Sequence, residues 1–112
     1  MVNINTHAEE SIFFIIVEGE LDASSSIHLD NAIAEGLEQG YGKIAIDCSG
    51  LEYISSAGLG VFMSYIEDMK KDGKKMVIYG VTEKVFNVFQ ILGLDQLLTL
   101  VDTKEKAIEV VG

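Results

Sequence analysis

The sequence predicts an α/β fold: a single domain whose mixed β-sheet begins with an N-terminal hairpin, continues with parallel strands and is flanked by about four helices. Two β-rich stretches lie near the N-terminus, separated by a short polar turn, and apolar stripes at helical spacing then alternate with short β-rich stretches. No linker or low-complexity segment divides the 112 residues, and 48% of them are hydrophobic. The chain is long enough to bury one core, so we treat residues 1–112 as one domain.

The first half of the chain holds the hairpin, one helix and one buried strand. Residues 2–6 and 12–18 are the two hairpin strands, joined through the polar turn 7–11. A polar loop with several N-cap candidates follows, and the next helix has apolar residues at every fourth position and ends at Gly40. Residues 43–47 then form a short buried strand.

The second half alternates helices with strands. A helix begins directly after Ser55 and Ser56 and closes near Gly73, with one apolar stripe along its length. The remaining predicted elements are a strand over 75–79, a helix stopped by Gly93, a strand over 96–101, and a terminal helix whose capping box begins at Asp102. Helices that connect parallel strands imply right-handed crossovers.

Sites in such sheets form at the carboxyl ends of the parallel strands. Here those ends lead into two loops, 19–26 and 47–56. We therefore expect the two loops to lie near each other.

Charge and composition exclude several classes of function. The chain carries 18 acidic residues against 8 basic ones, all of them lysine, for a net charge of −10. This charge repels a phosphate backbone, so we expect no nucleic-acid partner. The acidic charge is concentrated in residues 1–56, which hold ten acidic residues and one lysine. The longest apolar stretch, 12–17, is too short to cross a bilayer, so we expect a soluble protein with no membrane partner.

The inventory of catalytic side chains is small. Cys48 is the only cysteine, which permits no internal disulfide and, without a secretory leader, predicts a reducing, cytoplasmic environment. It follows a buried strand with no Lys or His beside it, while His7 and His28 fall on predicted surface positions. We therefore expect a protein that is not an enzyme and needs no cofactor. A small enzyme that uses Cys48 or a histidine is the least favoured of three hypotheses, after the two described below.

The alternative hypothesis is a receiver-like domain in which Asp47 accepts the phosphoryl group. Asp47 ends a predicted central strand, and Glu20 and Asp22 follow an earlier one, as in receiver-like domains that hold Mg²⁺ beside a phosphoacceptor aspartate. Two features disfavour this arrangement: the first strands form a hairpin rather than a parallel pair, and the last strand has no lysine to pair with an acyl phosphate. Turn hydrogen bonding by Asp47 is the simpler interpretation, and no metal site is expected.

The most informative segment is Ser55–Gly58. A serine directly before an apolar-periodic helix is ordinarily an N-cap, but unsatisfied N–H groups and the helix dipole also make this position suitable for a phosphoryl group. Gly58 and Gly60 lack the spacing of a dinucleotide fingerprint. They instead allow close approach of the helix to the sheet, or of a partner to the helix.

Two motifs resemble those of STAS domains, in particular the bacterial anti-sigma factor antagonists. The first is the stretch 44–61, with an apolar strand, an Asp-x-Ser step and a helix start that reads Ser-Ser-Ala-Gly-Leu-Gly. The second is Gly-Glu-Leu-Asp at 19–22, ahead of the first helix. The resemblance spans essentially the whole chain and implies a STAS-like fold.

The resemblance also implies a partner-switching mechanism. The unmodified protein would bind an anti-sigma factor that is also a serine kinase, which releases a sigma factor; phosphorylation would break the complex, and a PP2C-type phosphatase would restore it. By position the phosphoacceptor is Ser56. This chain has Ser55 where the family usually has Asp and Ala57 where it usually has Ser or Thr, so Ser55 stays open as the less favoured alternative.

We predict a partner-binding surface around this serine. An acidic domain without arginine should be steered towards a basic patch on its partner. Leu59 would add apolar contact if it is exposed, although its place in the apolar stripe indicates the core instead. The predicted surface consists of Glu20, Asp22, Ser55, Ser56, Gly58, Leu59 and Gly60.

Overall fold

Strands and helices alternate along residues 2–112, which the computed structural model describes; Met1, with which the predicted domain begins, lies outside the described residues. The strands are β1 (Val2–Glu9), β2 (Ile12–Leu21), β3 (Lys43–Ile54), β4 (Lys75–Tyr79) and β5 (Leu100–Val101). The helices are α1 (Ser26–Glu38), α2 (Ser56–Lys71), α3 (Glu83–Ile91) and α4 (Lys104–Val111), with a short 3₁₀ turn at Leu94–Gln96.

The sheet has the order β1-β2-β3-β4-β5, in which β1 and β2 are antiparallel and every other pair is parallel. This confirms the predicted α/β fold with an N-terminal hairpin and four helices. Each helix follows the carboxyl end of a parallel strand. All four helix N-termini therefore lie at the same end of the sheet, which we call the upper end.

Alternating residues of the strands supply two apolar layers. The larger layer, which includes Phe13, Ile15 and Ile46, packs against α1, α2 and α3. On the opposite face, Phe14 and its neighbours are covered by Ala107 and the rest of α4. None of the helices described between residues 2 and 112 is long and apolar enough to cross a membrane.

The hairpin differs from its prediction in length. Residues 7–9 were expected in the turn but belong to β1, and only Glu10 and Ser11 connect the strands. Cross-strand and long-range contacts explain the difference: the ring of His7 stacks on Phe14, with centroids 5.2 Å apart. The Lys104 ammonium lies 2.7 Å from a Glu9 carboxylate oxygen and lowers the pKa of that carboxyl. These contacts attach the terminal helix to the hairpin.

Two further boundaries are wrong in the prediction. The last strand was expected over 96–101 but covers only Leu100–Val101, because the chain after Gly93 (φ 73°) first forms the 3₁₀ turn. The terminal helix was expected to begin at a capping box on Asp102. Its N-cap is Thr103, whose hydroxyl accepts a hydrogen bond from the Lys106 N–H at 3.2 Å.

Candidate functional site

The predicted site lies where β2 and β3 end side by side. The parallel register pairs Glu20 with Tyr53 and Leu21 with Ile54. The backbone N–H of Ser55 donates to the carbonyl oxygen of Leu21 at 2.8 Å. The segment after β2 and the start of α2 are therefore neighbours, which confirms the predicted proximity.

The strand β3 was predicted to end at Asp47 and instead runs to Ile54. A bulge makes this possible, because the register shifts between the pairs Ile16–Asp47 and Glu18–Gly50. An oxygen of the Asp47 carboxylate accepts hydrogen bonds from the N–H and the hydroxyl of Ser49, at 2.9 and 2.7 Å. Asp47 thus stabilises the bulge inside β3. The sequence pattern placed Asp47 at the end of the strand instead.

Ser55 is the N-cap of α2. Its backbone is extended (φ −90°, ψ 172°), and its hydroxyl oxygen accepts a hydrogen bond from the Gly58 N–H at 3.3 Å. Its carbonyl oxygen accepts the first intrahelical bond, from the Leu59 N–H at 3.0 Å. The side chain is half-buried and already engaged in capping.

Ser56 is the first residue of α2 and is exposed. Within residues 2–112 its hydroxyl has no hydrogen-bond partner, and the backbone N–H groups of Ser56 and Ala57 have no acceptor. The helix dipole adds partial positive charge at the same place. An exposed hydroxyl therefore stands beside two N–H groups that favour an anion.

The two glycines of the motif have different surroundings. A Cβ at Gly58 would lie 2.9 Å from Ile54 Cγ1 and 3.2 Å from Leu21 Cβ, whereas a Cβ at Gly60 would meet nothing within 4 Å. Gly58 therefore lets the start of α2 pack closely on the sheet, and Gly60 leaves a bare, exposed patch on the helix. Leu59 is only 4% exposed and packs in the core, as its place in the apolar stripe indicated, so it does not belong to the predicted partner-binding surface.

Asp22 organises the loop between β2 and α1. One carboxylate oxygen accepts hydrogen bonds from the N–H and hydroxyl groups of both Ser24 and Ser25, at 2.9–3.1 Å. The Glu20 carbonyl oxygen, 3.0 Å away, is a second acceptor that shares the single proton of the Ser25 hydroxyl with Asp22. The hydrogen bonds from Ser25, followed by those from Ser24, lower the pKa of Asp22 to about 2. Asp22 is thus bound into its own loop, and Ser25, which sequence reasoning missed, is its main partner.

The lowered pKa of Asp22 predicts a specific acid sensitivity. Its carboxylate stabilises the fold fully above about pH 4, and this contribution is lost as the pH falls towards 2. We expect Asp22→Asn, which keeps an acceptor oxygen, to be less stable than wild type at pH 6 and to lose less stability between pH 4 and pH 2. Urea unfolding across this range measures the difference. The matched control is Glu67→Gln at an exposed position on α2; an identical pH dependence of wild type and Asp22→Asn contradicts the prediction.

The surroundings of the remaining candidate side chains are typical of residues with a structural role. Burial raises the pKa of the Cys48 thiol to about 12, so it is protonated at neutral pH. Burial also raises the pKa of Tyr79, and the charge and hydrogen bond of Asp47 add to the effect. Residues 2–112 contain no group of three or more His, Cys, Asp or Glu side chains that could hold a metal ion. His7 and His28 are exposed, as predicted.

Three residues at the upper end were not predicted. Tyr53 is 47% exposed, and a shallow groove beside it is also lined by Thr82 and Lys84 from the start of α3. The acidic residues Glu20 and Glu52 line the same groove. The N-cap Thr82 lies far along the chain from β3, so only the parallel topology brings it here; its hydroxyl accepts from the Val85 N–H at 3.4 Å.

Comparison with known proteins supports the STAS-like fold and the family resemblance. Residues 3–107 match the family model described as the STAS domain. The anti-sigma-B factor antagonist of Staphylococcus aureus (strain NCTC 8325 / PS 47) is 27% identical over 97 residues, which cover 87% of this chain and 90% of that protein.

Solved structures show the same architecture. An anti-sigma factor antagonist from Mycobacterium paratuberculosis superposes with a TM-score of 0.90 at 21% identity, covering 99% of this chain and 94% of that one. The phosphorylated form of the Bacillus cell fate determinant SpoIIAA superposes with a TM-score of 0.75 at 21% identity, covering 98% of this chain and 100% of that one. At these identities the likeness establishes the fold.

Proposed function

This chain belongs to the STAS-domain family, and we propose that it is an anti-sigma factor antagonist whose partner binding is switched off by phosphorylation of Ser56. The observation that carries the proposal is the exposed Ser56 hydroxyl at the first position of α2, beside two N–H groups that have no acceptor among residues 2–112. The antagonist named among the relatives and the phosphorylated relative support the same class of function.

The choice of Ser56 over Ser55 rests on availability. The Ser55 oxygen is half-buried and caps the helix through Gly58, so a kinase would have to break a stabilising contact to reach it. In the part of the chain that the structure describes, the Ser56 hydroxyl makes no such contact. Ser55 remains the less favoured acceptor.

The partner in this proposal is an anti-sigma factor that is also a serine kinase, opposed by a PP2C-type phosphatase, all acting in the cytoplasm. The exposed Glu20 and Glu52 give the upper end an acidic edge that steers a basic surface towards Ser56. Gly60, bare and exposed on the same helix, allows the backbone of the partner to approach closely. Asp22 contributes indirectly, by holding the shape of the neighbouring loop.

A phosphoryl group at Ser56 adds about 1.5 to 2 negative charges. The free N–H groups and the helix dipole favour that charge, so the modification leaves the fold intact. Its effect falls on docking, because it adds bulk and charge at the centre of the contact surface. A switch of this kind requires no conformational change in the antagonist.

Mass spectrometry after incubation with the cognate kinase and ATP tests the assignment. We expect one acid-stable phosphate on Ser56 of the wild-type protein and none in Ser56→Ala. The Ser55→Ala variant should still be phosphorylated, although the loss of its N-cap should lower the stability by about 1 kcal/mol. Phosphate on another residue contradicts the assignment. An acid-labile acyl phosphate on Asp47 favours the receiver-like alternative instead.

A further inference from the structure

A second concave site lies at the end of the sheet opposite to Ser56, which we call the lower cleft. It has a volume of about 320 Å³, within the range of small-molecule sites. Its lining combines apolar side chains from α2, β4, the segment before β5, and α4 with three lysines. The lining residues are Ile66, Met69, Lys70, Lys74, Lys75, Met76, Leu97, Thr99 and Val110.

The cleft exists because β5 is shorter than its neighbour. β5 pairs only with Ile78 and Tyr79, which leaves the outer edge of β4 below Ile78 without an adjacent strand. The Ile78 N–H donates to the Thr99 carbonyl on this edge, and residues two apart on a strand share an edge. The Met76 N–H therefore lies on the same outer edge of β4, and Met76 lines the cleft. Within residues 2–112 this N–H has no backbone acceptor, so it is available as a donor.

The charge of the cleft is opposite to that of the protein. In a chain with a net charge of −10, three lysines and no acidic residue line it. Within residues 2–112 none of these lysines makes an ion pair. The dipole of α2 accounts for Lys70 in its last turn. It does not account for Lys75, which is the register partner of Lys43 on β3 and so opposes a like charge.

The apolar part of the cleft is exposed to solvent. Leu97 is 59% exposed and Val110 41%, and both lie beside the buried Met69 and Met76. Methionine side chains adapt to the shape of an apolar ligand. Apolar side chains beside lysines that make no ion pair within residues 2–112 match an amphiphile with an anionic head.

We propose that the lower cleft binds a small single-chain amphiphile with one anionic head group, such as a medium-length alkyl carboxylate, with the alkyl chain against the apolar wall and the head group at Lys70, Lys74 and Lys75. Lysines, unlike arginine, act as point charges without bidentate geometry, which suits a mobile, singly charged head. The Met76 N–H provides a further donor to the head group.

Titration of the protein with decanoate, followed by calorimetry and amide chemical shifts, tests the proposal. We expect saturable binding with shifts centred on Met76 and Leu97, and at least tenfold weaker binding of decanol and of decyltrimethylammonium. The double variant Lys74→Gln/Lys75→Gln should weaken decanoate binding at least tenfold, and Leu97→Asp should abolish it. The matched control, Lys84→Gln/Lys106→Gln, removes the same charge elsewhere and should bind as wild type.

Several results would overturn the proposal: no saturable binding of decanoate, equal binding of decanol, or equal effects of the two lysine double variants. Binding of an acidic peptide in the cleft, without binding of decanoate, would also overturn the proposal. It would indicate a protein partner rather than a small ligand. The Ser56→Ala variant should bind decanoate as wild type does, so failure here is separate from failure of the phosphorylation switch.

Discussion

The Ser56→Asp variant is expected to bind the cognate anti-sigma factor at least tenfold more weakly than wild type, while Ser56→Ala binds with wild-type affinity. Tenfold corresponds to about 1.4 kcal/mol, a modest requirement for a charge placed at the centre of a docking surface. Alanine removes only a hydroxyl that makes no hydrogen bond within the described residues. Isothermal calorimetry with the purified partner measures both affinities.

A control variant distinguishes the effect of adding a negative charge anywhere on the protein from the effect of adding it at Ser56. Gln90→Glu adds one negative charge at an exposed site on α3, outside the proposed surface, and should change the affinity little. Circular dichroism and thermal unfolding should show that Ser56→Asp is folded, since an acidic residue in the first turn suits the helix dipole. Equal affinities of Ser56→Asp and Ser56→Ala would remove the basis of the switch.

Gly58→Ala is expected to destabilise the fold by about 1–3 kcal/mol, because its new methyl group would crowd Ile54 and Leu21. In a domain of this size each kcal/mol lowers the melting temperature by about 4 °C or more. Thermal unfolding by calorimetry measures the loss. The added methyl would also displace the start of α2 from the sheet, so partner binding should fall with stability.

Gly60→Ala is the matched control for this prediction. The same substitution, two residues further along the helix, meets nothing within 4 Å and replaces glycine by a better helix former. We expect it to stabilise the fold by about 0.5–1 kcal/mol. If both variants shift the melting temperature in the same direction, the packing argument for Gly58 is wrong.

The regular parts of the fold were predictable because their signals are local. The stripe of α2 and the glycine after α3 mark a helix and its stop without knowledge of the rest of the chain. The extensions of β1 and β3 were not predictable. The extension of β1 depends on the ion pair between Lys104 and Glu9, and that of β3 depends on the bulge at Asp47. Both features arise only in the tertiary structure.

The site was predictable in its centre and not in its surroundings. The motif placed Ser55 and Ser56 at a helix start, and the structure assigns the cap to the first of them. The partners of Asp22 and the position of Thr82 follow from loop geometry and strand order instead. The lower cleft draws on four separate segments, so no local pattern indicates it.

The helix α2 carries Ser56 at its first residue and Lys70 in its last turn. Lys70 lies 14 residues after Ser56, a separation of about 21 Å at about 1.5 Å per residue, which is more than twice the screening length of about 8 Å at physiological salt. A phosphate at one end and an anion at the other would therefore scarcely sense each other's field. Cross-talk between them would require α2 to shift as a rigid rod, and without such a shift the domain would register two chemical inputs independently.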